Sequence, residues 1–211
     1  MGLAVLVEVN TSPLPDWRGH TCVIAASGPS LTSEQCFAAV TSKAKVIAIN
    51  TTFRMLPEAD ALYACDYLWL KHHKAEFMPA FNGRVWTQDR AAAEQFNLKY
   101  VRHAARDGLG RVNTLHVGGN SGHGAINLAY LFGARRILLI GYDMREINGR
   151  KHWHPDHPAP CVQKQQFGEW IHKFRKLAED LKAAQCEVIN CTPKSALQCF
   201  PMGDMEQELA K

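Results

Sequence analysis

The sequence lacks a long apolar run, a Cys-x-x-Cys pair, an internal repeat, a low-complexity tract and an obvious linker. Each absence removes a class of protein. Spanning a bilayer takes roughly 18 or more consecutive apolar residues, whereas the internal apolar runs, Ile137 to Ile140 among them, are only a few residues long, so the chain reads as soluble with no membrane partner. Leu3 to Val9 is apolar but short, has no basic leading region and is interrupted by Glu8, which makes it a poor signal peptide. The seven cysteines, at 22, 36, 65, 161, 186, 191 and 199, are odd in number. They read as reduced thiols of a cytoplasmic protein, and neither a disulfide framework nor a zinc site fits their spacing. Charge of one sign is also scarce, with 24 Lys+Arg against 20 Asp+Glu and a net +4. So mild an excess suits an anionic small molecule as well as nucleic acid. No basic stripe with interleaved aromatics is present, so nucleic acid is a minor alternative as acceptor. Nothing specifies an oligomer.

What is present is ordinary for one globular α/β domain spanning 1–211: 46% hydrophobic and 21% charged residues over 211 positions, enough to bury a substantial core. The stretch from Gly118 to Asp143, GGNSGHGAINLAYLFGARRILLIGYD, is the most informative. Ala125, Leu128, Ala129 and Phe132 fall at i, i+3, i+4 and i+7, which predicts a helix opened by Ser121 with one apolar face. Gly133 is placed to stop it, and Ile137 to Ile140 read as a central parallel strand. Asp143 then falls at a strand's carboxyl end, where open α/β sheets bind ligands. Gly119, Asn120, Ser121 and Gly122 put small residues and backbone N–H groups at a helix start, which suits a phosphate.

Taken in order, Thr21 to Ala26 is the first core strand, followed by the turn Ser27-Gly28-Pro29-Ser30. Thr32 and Gln35 make a capping box for a helix through about Ser42. Lys45 to Asn50 and Ala61 to Cys65 are further strands, the latter ending on Asp66. Ser27, Asn50 and Asp66 are thereby expected at one edge of a mostly parallel, Rossmann-like, doubly wound sheet with helices on both faces. Tyr67 to Lys74 reads as a helix with Leu68 and Trp69 inward, Arg84 to Thr87 as a strand and Asp89 to Phe96 as a helix. Lys99 to Val117, with Lys99, Arg102, Arg106 and Arg111 among glycines, reads as a mobile surface loop, either solvated or a lid. After Asp143 comes the polar loop Arg145 to Pro160, containing HWHPDHP. Phe167, Trp170, Ile171, Phe174, Ala178 and Leu181 share one face of a long helix and read as core. Glu187 to Cys191 is the last strand, and a short helix starts at Asp204.

The two turns, Ser27-Gly28-Pro29-Ser30 and Asn120-Ser121-Gly122, together suggest a two-sided phosphate cradle. Asp143 would meet a ribose hydroxyl, a base edge or a metal ion, and the Asn50 amide can donate and accept toward a base or sugar. His152, His154, Asp156 and His157 raise a metal reading, but Pro155 and Pro158 stiffen the loop and no second ligand set stands at helical spacing, so no metal site is assigned. One of these histidines as general base, His154 or His157, is the more economical reading. His123, in the first turn of the central helix, is read as facing the ligand, and His72 and His73 as exposed.

VIAASGPSL, a strand ending in Asn50, then GNSGHGAINLAYLFGARRILLIGYD and a histidine loop resemble the fold shared by the bacterial CMP-sialic-acid-dependent sialyltransferases and the MptE-like 6-hydroxymethylpterin diphosphokinase family, which includes small phage-encoded proteins. The resemblance covers about residues 21 to 192. It implies that Ser27, Gly28, Ser30, Asn50, Asn120, Ser121, Gly122 and Asp143 hold a nucleotide or nucleotide sugar of the CMP type, and that His154 or His157 is the base.

Three functions compete. A glycosyltransferase would use a nucleotide sugar and a hydroxyl acceptor, needing no metal. A diphosphokinase would transfer pyrophosphate from ATP, with Asp143 and Asp66 holding magnesium. The third is a non-catalytic nucleotide-binding module.

Overall fold

The computed structural model describes residues 11–155, 157–162 and 164–211; the Leu3 to Val9 segment and Asp156 lie outside them. From Thr11 the chain alternates short apolar strands with helices: Thr21–Ala25 (β1), Ser33–Thr41 (α1), Lys45–Ile49 (β2), a 3-10 turn at Asn50–Arg54, Ala61–Tyr63 (β3), Tyr67–Ala80 (α2), Arg84–Thr87 (β4) and Arg90–Phe96 (α3). Three very short strands follow, Lys99–Tyr100 (β5), Arg102–Ala104 (β6) and Thr114–His116 (β7). Then come Ser121–Leu131 (α4), Arg136–Ile140 (β8), a 3-10 turn at Ala159–Cys161, Phe167–Ala183 (α5), Glu187–Asn190 (β9) and Met205–Leu209 (α6).

The main sheet has seven strands in the order β5-β4-β3-β2-β1-β8-β9, and every pairing in it is parallel. The chain winds outward from β1 through β5, returns across the sheet, and lays β8 against the other side of β1 in register from Thr21↔Arg136 to Ala25↔Ile140. That reversal places a crevice beyond the carboxyl ends of β1 and β8. Alternate strand residues feed two cores. Cys22, Ile24, Ile47, Ile137 and Leu139 pack with Leu128 of α4 and with Phe174 and Leu177 of α5. Val23, Val46, Leu62, Leu138 and Ile140 pack with Cys36 of α1, Leu70 and Phe77 of α2 and Phe96 of α3. Burial on both faces is why these strands read as near-continuous apolar runs, and the fold is the doubly wound α/β sheet expected.

Local signals set the helix ends. Gln35 N–H donates to Thr32 Oγ1 at 3.3 Å and Thr32 N–H donates to Gln35 Oε1 at 3.2 Å, the reciprocal capping box. At the end of α4, Gly133 takes φ +101°, its N–H donates to Tyr130 O and Ala134 N–H donates to Ala129 O, a glycine stop that satisfies two orphan carbonyls.

The structure corrects several readings. Lys99 to Val117 is not a loose surface loop: it supplies β5 to β7, and Val101, Leu109 and Leu115 are buried. Buried Asn127 holds it through Gly110 N–H at 2.7 Å, His116 N–H at 3.3 Å and Gly108 O at 3.3 Å. The helix α4 is buried from Gly122 to Ala129 on every side, because it lies between the main sheet and β6–β7. Leu68 is exposed while Trp69 is buried, and His73 is buried where exposure was expected. At the sheet margins, Ser12 N–H donates to Tyr100 O at 2.8 Å and Tyr100 N–H to Ser12 Oγ at 3.0 Å. On the far side, Asn190 N–H donates to Pro201 O at 2.8 Å and Gly203 N–H to Asn190 O at 3.1 Å. Among the described residues, no helix is long and apolar enough to cross a membrane.

Candidate functional site

The polar residues that end β1, β2, β3 and β8 converge. Ser27, Gly28, Asn50, Asp66 and Asp143 line one cleft of about 610 Å³ together with Asn120, Ser121 and Gly122 at the start of α4. Ser30 does not line it but touches Asp143, and His157 lines it whereas His154 does not.

The first turn is committed to Asp143. Ser30 donates both its backbone N–H (3.2 Å) and its Oγ–H (3.0 Å) to Asp143 Oδ2. Gly28 N–H donates to Gly141 O at 2.9 Å, so this amide is not open to an anion. A Cβ at Gly28 would collide with Asp143 Oδ2 and Gly141 O, which is the physical reason for glycine here. Burial raises the Asp143 carboxyl above its usual range, and the two Ser30 hydrogen bonds, then the Arg145 charge, oppose that rise. Its other oxygen, Oδ1, is buried without a protein partner. A carboxylate thus occupies the place where the first half of the expected phosphate cradle would be.

The second turn keeps its capacity for an anion. Asn120 caps α4 by accepting from His123 N–H at 2.9 Å, while the Ser121 and Gly122 amides, in the first turn, have no intrahelical partner. Asn50 sits at φ 48°, and its Nδ2 donates to Ser121 Oγ at 3.4 Å. Ser121 Oγ is also 3.0 Å from Cys65 Sγ, whose thiol burial pushes up to about 12, so it stays protonated. Asn50 Oδ1 and Asn120 Nδ2 are both buried without a partner. Positive charge is at hand: Arg145 and Lys151 line the cleft, and Lys173 reaches the Gly119 turn.

The histidine loop folds back over this edge. Trp153 N–H donates to Ser27 O at 3.0 Å and Ser27 Oγ meets His152 Nδ1 at 3.1 Å. His152 and His157 line the cleft; His157 and His154 line an adjoining hollow of about 250 Å³ that also touches Arg54, His73 and Glu76. The His154 Nδ1 lies 2.6 Å from Pro155 O, and burial pushes this imidazole down to about 4. The structure therefore separates the two histidines: His157 lines the cleft, whereas His154 lines only the adjoining hollow.

Several cleft residues escaped the sequence reading. Phe167 and Trp170 line the cleft, although their helical stripe marked them as core. Leu68, Gln88 and Cys161 also line it and carry no local signal. In contrast, His123 does not face the cleft. It is fully buried, its Nδ1 bonds His116 O at 3.1 Å, its ring packs on Phe174, and burial lowers it to about 4.

No family model matches the sequence, and no curated protein sequence matches it either. Among solved structures, the chain is similar to the MAf glycosyltransferase from Magnetospirillum magneticum AMB-1, with a TM-score of 0.63 and 16% identity over 93% of this chain. It spans 35% of that protein's length. At this identity the likeness shows the fold alone, a Rossmann-like α/β sheet.

Proposed function

We propose that the cleft binds a nucleotide sugar and that the protein transfers the sugar to a hydroxyl acceptor. The observation that carries this reading is a convergence of three buried, unpartnered polar atoms, Asn50 Oδ1, Asn120 Nδ2 and Asp143 Oδ1, on residues lining one cleft. Each unsatisfied buried group costs about 1–3 kcal/mol, and a ligand offering two donors and one acceptor relieves all three. A nucleoside, with its ribose hydroxyls and base edge, has that complement. The α4 amino terminus, Arg145 and Lys151 supply what the phosphates need. Phe167 and Trp170 add aromatic faces. A CMP-type nucleotide is favoured by the likeness of the two glycine turns to those of the CMP-sialic-acid transferases, and glycosyl transfer also agrees with the fold of the MAf enzyme.

In the transfer, the bond between the anomeric carbon and the phosphate oxygen breaks as the acceptor oxygen bonds to that carbon. The acceptor proton passes to the histidine loop, where metal-free His157 is the base. The departing nucleotide carries the negative charge that the helix terminus and cations stabilise. A second reading, pyrophosphate transfer from ATP, draws on Asp66 and Asp143 lining the same cleft, where they would hold magnesium.

Thermal-shift measurements with CMP, CDP, UDP, GDP and ATP, each with magnesium or with EDTA, test both readings. A ligand at 100 times its Kd stabilises by about 2.7 kcal/mol. Stabilisation by CMP or UDP in EDTA supports glycosyl transfer, and stabilisation by ATP only with magnesium replaces it with the second reading. If no nucleotide moves the Tm, the cleft does not bind nucleotides.

A further inference from the structure

We propose that His152, His154 and His157 form a binding site for one divalent transition metal of the zinc class, with a coordination position left on the cleft side. One imidazole nitrogen from each ring comes within 4.8 Å of the other two, and the ring centroids form a near-equilateral triangle with sides of 4.9, 5.1 and 4.9 Å. Zinc–nitrogen bonds of about 2.0–2.1 Å place tetrahedral ligand nitrogens about 3.4 Å apart. To grip an ion the rings need to close by on the order of 1 Å, and the stacked His152 and His154 rings need to turn relative to one another.

Hydrogen bonds hold two of the rings by one nitrogen each. The Nδ1 atoms of His152 and His154 are engaged by Ser27 Oγ (3.1 Å) and Pro155 O (2.6 Å), which leaves Nε2 as the ligand atom of His154. Metal-binding histidines are held in this way, with the second ring nitrogen bonded to a carbonyl or another polar group. His154 is only 6% exposed, and its Nε2 is buried with no partner in the protein. A bound metal ion would satisfy that atom. The loop is anchored independently of any ion, by Trp153 N–H to Ser27 O, Trp153 Nε1–H to Thr52 Oγ1 at 3.4 Å and the Arg150 guanidinium to Trp153 O at 2.5 Å.

Ligand type selects the metal. Three neutral imidazoles suit zinc and its neighbours, whereas magnesium and calcium take oxygen ligands, so this is not the magnesium site of the pyrophosphate reading. Three protein ligands leave a fourth position open, the pattern of reactive rather than purely structural zinc centres. Since His152 and His157 also line the cleft, that position lies on the side from which a phosphate or acceptor oxygen arrives. The metal site stands on the histidines alone; only its consequence for transfer rests on the nucleotide reading. A metal that takes the His157 lone pair removes that imidazole as base, so metal-loaded and metal-stripped protein differ in how the acceptor is activated.

The test uses the full chain, stripped with chelator and titrated with Zn²⁺ and, separately, Co²⁺. One saturable equivalent is expected, raising the Tm, with a cobalt absorption spectrum free of thiolate charge-transfer bands. His157→Ala, at a half-buried loop position that the core does not depend on, abolishes that equivalent; Ser27→Ala, which frees His152 Nδ1, weakens it about tenfold to a hundredfold. His172→Ala, on the exposed side of α5, leaves it unchanged. Absence of a saturable equivalent, thiolate bands in the cobalt spectrum, or unchanged affinity in folded His157→Ala would each overturn the site. Because the titration contains no nucleotide, its failure leaves the thermal-shift result for nucleotides standing, and the reverse also holds.

Discussion

Ser30 holds a single oxygen of Asp143, Oδ2, with two donors, its amide at 3.2 Å and its hydroxyl at 3.0 Å. This leaves Oδ1 directed away from the protein's own donors. Ser30→Ala removes one donor and keeps the other. We expect nucleotide affinity to fall about tenfold, as one hydrogen bond to a charged group is worth about 1.5 kcal/mol at the lower end of its range. The loss should grow toward acid pH, because the Ser30 bonds are what oppose the burial-driven rise of the Asp143 carboxyl. Titration calorimetry at two pH values measures both effects, and an unaltered Kd would refute the assignment.

Asn50 combines a left-handed backbone, φ 48°, with a buried, unpartnered amide oxygen. The two properties are separable. Asn50→Gly keeps the backbone free of strain, whereas Asn50→Ala adds about 1–2 kcal/mol of it. Urea unfolding should rank the glycine variant above the alanine variant, while both lose ligand affinity alike. A glycine variant that binds as tightly as the parent would show that the amide does not touch the ligand.

His123 is neutral when folded, at about 4, against 6.5 for the free side chain. Its folded value is depressed, so its contribution is complete above pH 6.5 and is lost progressively as pH falls toward 4, by on the order of 3 kcal/mol in total. His123→Asn retains a donor for His116 O and cannot titrate. Melting curves between pH 7 and 5 should fall less steeply for this variant than for the parent. Parallel curves would mean that His123 is already protonated in the folded state.

Asn127 joins α4 to the segment before it by bonds to Gly110 N–H, His116 N–H and Gly108 O. Asn127→Ala leaves those backbone groups buried and unpaired, at about 1–3 kcal/mol for each that water cannot reach. The unfolding midpoint should drop accordingly, and hydrogen exchange at Gly110 and His116 should accelerate more than in β1. Uniform acceleration would show that the segment opens only with the whole molecule.

The central sheet was legible because β1, β2 and β8 are covered on both faces, so their residues form apolar runs that nothing else explains. The polar residues that end them, Ser27, Asn50 and Asp143, stood out by contrast. Strands of two or three residues, β5 to β7, are too short to carry a period, which is why Lys99 to Val117 looked irregular. Helical periodicity reports a face and not a depth: Phe167 and Trp170 share the stripe of Phe174 and Leu181, but only the latter pair reaches the core. The collision that forces Gly28 involves Asp143, far along the chain, and the histidine triangle depends on the loop folding back to Ser27. Neither relationship has a local signature.

The hydrogen bonds between Ser12 and Tyr100 and between Asn190 and residues 201 and 203 also bear on assembly. A parallel sheet offers two outer strands on which a neighbour could template itself, and here each is occupied over its terminal residues by another stretch of the same chain. Growth by strand addition is thereby blunted at both margins. A partner that adds a strand over these residues of the main sheet must first displace one of these two covers.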